Sequence, residues 1–218
     1  MIEWKNLGDV CTIVAGQSPP SSTYNQKKKG MPFFQGKADF GKIYPNVRFW
    51  CASPVKIALP GDILISVRAP VGPTNINNIK SCIGRGLSAI RPGKNLDQKY
   101  LLHYLRSIEN KLADKASGST FSAITQKDLR AIPIPLPPLE TQKKIAAILD
   151  AADAYRQKTK ALIEKYDELA QSLFLEMFGD PVKNEKGWEE KALKNLGRVV
   201  TGSTPPSQND GMFGGEIP

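Results

Sequence analysis

Residues 139–178 read LETQKKIAAILDAADAYRQKTKALIEKYDELAQSLFLEMF. Neither proline nor glycine interrupts them, and their apolar residues recur with the seven-residue period of a helix that packs against another helix. With a heptad begun at Ile145, the first seam position reads Ile145, Ala152, Thr159, Tyr166, Leu173. The second reads Ile148, Tyr155, Leu162, Leu169, Glu176, and the next position widens the stripe with Leu149, Ile163, Ala170 and Met177. Only Thr159 and Glu176 break the seam. Pro137 and Pro138 precede the stretch, and proline suits a first helical turn whose N–H groups have no partner to lose. Glu140 lies in that turn, where negative charge meets the positive end of the helix dipole. Phe178-Gly179-Asp180-Pro181 is a stop, with glycine for a left-handed cap and proline beyond it. The pattern predicts one helix over 139–178, roughly 60 Å long at about 1.5 Å per residue. A stripe of that length calls for a second helix, and packing on its own domain is the plainer alternative.

Upstream, residues 1–138 read as mixed α/β. Short apolar or β-branched runs bounded by Gly and Pro predict strands at 10–14, 55–59, 62–67 and 86–90. A helix capped by Asn95 or Asp97 follows, with Leu101, Leu105, Ile108 and Leu112 on one face. Thr125-Gln126-Lys127-Asp128 has the spacing of a capping box. Ile132-Pro133-Ile134-Pro135-Leu136-Pro137-Pro138 must be extended, because each proline turns its predecessor away from the helical region. Three polar stretches, 16–30, 69–82 and 116–122, read as loops that could grip a partner.

Composition narrows the function. The chain has 218 residues, 40% of them hydrophobic and 23% charged. Its Met1-Ile2-Glu3-Trp4-Lys5 start is no signal peptide, and no apolar run approaches a membrane span. Three dispersed cysteines, Cys11, Cys51 and Cys82, suggest reduced thiols and a cytoplasmic setting. The net charge of +9 is unevenly placed: residues 1–138 carry +11, 139–182 carry −2 and 183–218 are balanced. A basic domain on a neutral strut suggests a polyanion partner for the first and a protein partner for the second.

The chain also repeats itself. Lys5-Asn6-Leu7-Gly8, then Val14-Ala15-Gly16-Gln17-Ser18-Pro19-Pro20-Ser21, matches Lys194-Asn195-Leu196-Gly197, then Val200-Thr201-Gly202-Ser203-Thr204-Pro205-Pro206-Ser207. Trp4 and Trp188 precede the two copies. The order is domain, rod, start of a second domain.

With that order in view, the sequence resembles the DNA specificity (S) subunit of type I restriction–modification systems. The likeness rests on Gly16–Ser21, Pro60-Gly61-Asp62-Ile63-Leu64-Ile65-Ser66-Val67-Arg68, Ile83-Gly84-Arg85-Gly86-Leu87, and Ile134-Pro135-Leu136-Pro137-Pro138-Leu139-Glu140-Thr141-Gln142 opening the rod. Met177-Phe178-Gly179-Asp180-Pro181, a linker and Trp188 complete it. The resemblance implies an α/β (α+β) target-recognition domain at 1–138 and a long coiled-coil-forming spacer helix at 139–180. Residues 181–218 would be a linker and the start of a second recognition repeat. The family's usual member has two recognition domains and two antiparallel helices; this sequence has one of each and a stub. A half-subunit that dimerises and a fragment of a longer gene both fit.

The resemblance further implies a non-catalytic subunit. It would bind double-stranded DNA and no membrane, and it would assemble with a modification subunit that brings S-adenosylmethionine, and with a restriction subunit where one is present. No cofactor is expected on this chain itself. The residues agree with that reading. His103, the one histidine, sits in an amphipathic helix and reads as structural. No phosphate loop or zinc-ligand spacing occurs. Asp180 with Glu189-Glu190-Lys191 reads as a solvated charge run rather than a nuclease centre. For DNA, Lys, Arg and polar loop donors suit phosphates, while Arg, Lys, Asn and Gln suit base edges. The candidates are Lys27, Lys28, Lys29, Gln35, Lys37, Lys42, Arg48, Arg68, Thr74, Asn75, Asn77, Asn78, Lys80, Arg85, Ser117, Ser119 and Thr120. Arg68 and Arg85 belong to the shared blocks, so they are expected to hold the fold or phosphates. The expected helix interface is Ile145, Ile148, Leu149, Ala152, Tyr155, Leu162, Ile163, Tyr166, Leu169 and Leu173, in a homodimer. A stand-alone DNA-binding regulator and a piece of a fused nuclease–methyltransferase are the alternatives.

Overall fold

The computed structural model describes residues 3–117 and 123–202. Ser119, Thr120 and the 203–207 part of the second repeat therefore lie outside the described residues. The strands, in chain order, are β1 (Glu3–Asn6), β2 (Cys11–Ala15), β3 (Tyr24–Asn25), β4 (Met31–Phe34), β5 (Phe49–Cys51) and β6 (Ile57–Ala58). They continue with β7 (Ile63–Ser66), β8 (Thr74–Ile76), β9 (Ser81–Ile83), β10 (Leu87–Pro92) and β11 (Pro133–Leu136). The helices are α1 (Leu7–Val10), α2 (Gln98–Ser107), α3 (Glu109–Ser117), α4 (Gln126–Arg130), α5 (Leu139–Phe178) and α6 (Leu193–Leu196). The chain divides into two compact units, the first ending at Gln157 and the second beginning at Lys158, within α5.

The first unit is layered, and the alternation along β7 shows how. Ile63 and Ile65 point into a core shared with Leu101, Leu105 and Leu129 of the helices. Leu64, between them, points the other way, into a cluster with Phe34, Ile83 and Leu87. Successive strand residues face opposite sides, so β7 lies in a middle layer covered on both faces, and its first three residues are all apolar. That layer is an antiparallel sheet ordered β2-β10-β7-β8. Helices α2 to α4 cover one side. The other side is covered by a five-stranded sheet ordered β3-β5-β4-β9-β6, in which only β4–β9 is parallel. Each fully buried Leu, Ile or Phe here contributes roughly 1.5–3 kcal/mol of apolar burial.

The expected strands at 10–14, 62–67 and 86–90 correspond to β2, β7 and β10, and 55–59 shrinks to the two residues of β6. Asp97 is the cap of α2, its side chain accepting the Tyr100 N–H at 2.9 Å. The helix expected to run on through Leu112 is two helices: Ile108 leaves helical geometry (φ −105°, ψ 8°) and α3 starts afresh. The Thr125–Asp128 capping box is present at the start of α4.

The 132–138 segment pairs as β11 with β1, antiparallel. The two prolines of β11, Pro133 and Pro135, are two positions apart, so their missing donors line a single edge. The Ile132 carbonyl, on the β1 side, accepts the Leu7 N–H at 2.8 Å. The carbonyls of Pro133 and Pro135 turn to the opposite edge and accept the hydroxyls of Tyr104 and Tyr100.

Helix α5 starts and stops where its sequence predicts. Gln142, fully buried, accepts the Asp97 N–H at 2.8 Å and donates to the carbonyls of Asn95 (2.9 Å) and Pro137 (2.8 Å). Asp150 pairs with Lys99 at 2.6 Å and with His103 Nε2 at 2.8 Å, so the lone histidine joins α5 to α2. Gly179 closes the helix at φ +80°, its N–H reaching the Leu175 carbonyl at 2.8 Å. In the second unit Trp188 donates its indole N–H to the Phe178 carbonyl at 2.8 Å. Leu7 of the first repeat is fully buried, whereas its counterpart Leu196 is 66% exposed. No helix among the described residues is long and apolar enough to cross a membrane.

Candidate nucleic-acid interface

Two of the quoted motifs form one feature, although they are nearly seventy residues apart. The Gln17 N–H bonds the Ile83 carbonyl at 3.0 Å, and the Arg85 N–H bonds Ser18 Oγ at 3.2 Å. A Cβ on Gly16 would lie 2.1 Å from the Gly84 carbonyl oxygen, and one on Gly86 2.4 Å from that of Gln35. These glycines are therefore demanded by close backbone approach. The contacts bring Arg85, exposed, beside the Gln35–Gly36 turn.

That turn is built by one carboxylate. Asp39, 1% exposed, accepts the backbone N–H groups of Gln35 (2.6 Å) and Gly36 (3.3 Å) on Oδ2. On Oδ1 it accepts Nε (2.8 Å) and Nη2 (2.6 Å) of Arg48, a half-exposed side chain. Gln35, Gly36, Lys37, Ala38, Asp39, Arg48, Phe49, Ala69 and Pro70 line a cleft of about 740 Å³. Arg68 precedes the Ala69-Pro70 wall, is itself exposed, and bridges Ala123 through its backbone. Five of the expected contact residues, Gln35, Lys37, Arg48, Arg68 and Arg85, thus meet in or beside one cleft. Asp39 was not among those candidates. Its sequence signal was its isolation, for it is the one acidic residue between Asp9 and Asp62.

The remaining candidates divide. Lys27, Lys28 and Lys29 are exposed on the β3–β4 turn, which Asn25 closes by accepting the N–H groups of Lys27 (3.1 Å) and Lys29 (3.0 Å). Lys42 lines a different groove, with Tyr44, Lys99 and Asp150. Asn78 and Lys80 are exposed in the connection between β8 and β9. Ser117 ends α3.

Three candidates are corrected. Residues 69–82, expected to be a polar loop, contain β8, and Thr74, Asn75 and Asn77 are 8%, 2% and 0% exposed. Asn75 exchanges hydrogen bonds with the Gly41 N–H (3.0 Å) and carbonyl (3.1 Å), as a strand neighbour would. Asn77 donates to the Leu59 and Ile79 carbonyls at 3.0 and 2.6 Å and accepts from Ser81 Oγ at 3.0 Å. Buried amides whose bonds are spent inside are not available to a ligand.

Along α5, Ile145 is partly buried and packs on its own domain's core together with Ala146. From there on the stripe is open: Ile148, Leu149, Ala152 and Tyr155 in the first unit are exposed, and so are Leu162, Ile163, Tyr166, Leu169 and Leu173 in the second. All three cysteines are buried and free, and burial pushes the Cys11 thiol up to about 12.

Known proteins resemble the chain over this same ground. The HsdS subunit of Thermoanaerobacter tengcongensis is 52% identical, with a TM-score of 0.66 over 75% of this chain and 39% of that one. A chain from a structural study of complex assembly in a type I R-M system is 53% identical, with a TM-score of 0.72 over 78% of this chain and 43% of that one. The type I restriction enzyme MjaIX specificity subunit of Methanocaldococcus jannaschii is 30% identical over 98% of this chain and 56% of its own length. The chain therefore spans about half or less of the length of these relatives. Residues 1–165, which hold the layered domain, its cleft and the first turns of α5, match the type I restriction modification DNA specificity domain, and the chain belongs to that family.

Proposed function

We propose that this chain is a DNA-recognition module of a type I restriction–modification complex. Family membership over residues 1–165 is the observation that carries the reading. The +11 charge of residues 1–138 and the cleft that gathers Gln35, Lys37 and Arg48 support it. On this reading, domain 1–138 reads duplex DNA and the helix over 139–180 acts as spacer and interaction surface. Residues 181–218 begin a second repeat. The chain itself catalyses nothing. A modification subunit supplies S-adenosylmethionine and the methyl-transfer chemistry, a restriction subunit joins where cleavage is required, and the work is done in the cytoplasm.

The open stripe on α5 extends the proposal to a homodimer. Two antiparallel helices would cover each other's stripes and carry two identical recognition domains. The target would then be a bipartite, two-fold symmetric site. Methyl transfer from labelled S-adenosylmethionine tests the reading. The pure chain should transfer nothing, and a modification subunit should methylate a defined sequence only when the chain is added. Transfer by the chain alone would overturn it.

A further inference from the structure

We propose that Asp39 is a positioning residue that fixes two base-reading side chains, Arg48 and Gln35, in the cleft; this rests on the DNA-recognition reading above. The argument starts from charge. An arginine that anchors phosphate works through net charge and counterion release. Arg48 has little net charge to offer, since its guanidinium is paired at 2.6 and 2.8 Å with a carboxylate that is 1% exposed. What remains is direction. Both bonds to Asp39 use the Nε–Nη2 edge, which leaves the Nη1–Nη2 edge for a paired acceptor in a fixed plane. That fork matches the O6 and N7 acceptors of guanine in the major groove.

The same carboxylate sets Gln35. Its backbone N–H is held at 2.6 Å by Asp39 Oδ2, and the Gly86 backbone closes on its carbonyl, so the turn has little room to move. Gln35 is exposed and lines the cleft with Arg48. A carboxamide matches the N6 donor and N7 acceptor of adenine. One buried carboxylate thus fixes the relative placement of a guanine-type and an adenine-type reader. The lysines at 27–29 are exposed on a turn, form no ion pair among the described residues, and serve as the anchors.

Selection from a random-sequence duplex pool by the full chain tests this, paired with the salt dependence of affinity for the enriched duplex and for an unrelated one. Wild type should enrich a motif. Arg48→Lys keeps the charge and loses the fork, so preference for guanine at one position of the motif should fall roughly ten-fold or more, the size of one bidentate contact. Its salt slope should not change. Asp39→Asn should relax that position and the one read by Gln35, with binding to unrelated duplex equal or tighter because a negative charge is removed. Should Asp39→Asn fail to fold, the half-exposed Arg48→Lys carries the decision. An unaltered motif with Arg48→Lys overturns the assignment. So does an Arg48→Ala variant that keeps the motif but flattens the salt slope by about one, the behaviour of a phosphate anchor. A wild-type chain that binds DNA without enriching any motif also overturns it. A wild-type chain that binds no DNA removes the recognition reading itself, and this assignment with it.

Discussion

Gln142 makes three hydrogen bonds through a side chain with no exposed surface, and all three go to backbone groups around the start of α2 and of α5. Gln142→Leu fills similar space but leaves the Asp97 N–H and two carbonyls without their partner. The expected loss is on the order of 2 kcal/mol or more, checked by urea unfolding. Asp128 behaves differently because its own carboxyl answers to pH. Hydrogen bonds from Lys115 and then Thr125 outweigh burial and hold its carboxyl at about 2, below its usual 3.8. A depressed carboxylate stabilises the fold above its unfolded value and loses that contribution as pH falls through the folded one. Asp128→Asn should therefore cost no more than about 1 kcal/mol at pH 7, since the pair is surface-placed. The difference from wild type should shrink on titration from pH 4 toward pH 2. A difference independent of pH would mean that the cap, not the charge, matters at this position. Single residues were also the hardest to read from sequence. Asn75 and Asn77 have the composition of a solvent loop, and nothing local says that their amides complete backbone hydrogen bonds with Gly41 and Leu59.

Elements were legible in proportion to their length. Helix α5 repeats its signal over forty residues, and both of its ends came out of proline, glycine and heptad spacing. Strands β3, β5, β6 and β9 have two or three residues each, too short for a period of two to register, so the five-stranded sheet was almost invisible. The cleft was partly legible for the same reason: its arginines and glutamine were identifiable by type, while their assembly by Asp39 depends on backbone turns without periodicity. The open stripe of α5 gives the test at this scale. Leu162, half-exposed, lies at mid-seam. The chain should run as a dimer in light scattering at micromolar concentration, and Leu162→Asp should render it monomeric because each pair would bury two unpartnered carboxylates. A wild-type monomer would argue against helix pairing between copies.

At the scale of the whole molecule, the proposed division between anchoring and reading rests on charge. All of the excess positive charge lies in residues 1–138. Affinity for duplex DNA should fall steeply with salt, and replacing Lys27, Lys28 and Lys29 together by Ala should make the slope of log K against log salt shallower by as much as about 2.7. Sequence preference should stay as it was; a changed motif with an unchanged slope would make those lysines readers. Neutralisation of this kind crowds domains together on a polyanion, and crowded sheet proteins face edge-to-edge polymerisation. The β1–β11 ribbon meets that hazard at both borders. Toward one side β11 offers no N–H at Pro133 or Pro135, and their carbonyls are already capped by tyrosines. On β1, Glu3 and Lys5 are exposed and paired to each other at 2.6 Å. An incoming strand meets capped acceptors on one flank and a charged, hydrated fence on the other, so copies brought side by side have no seed there from which a fibre could grow.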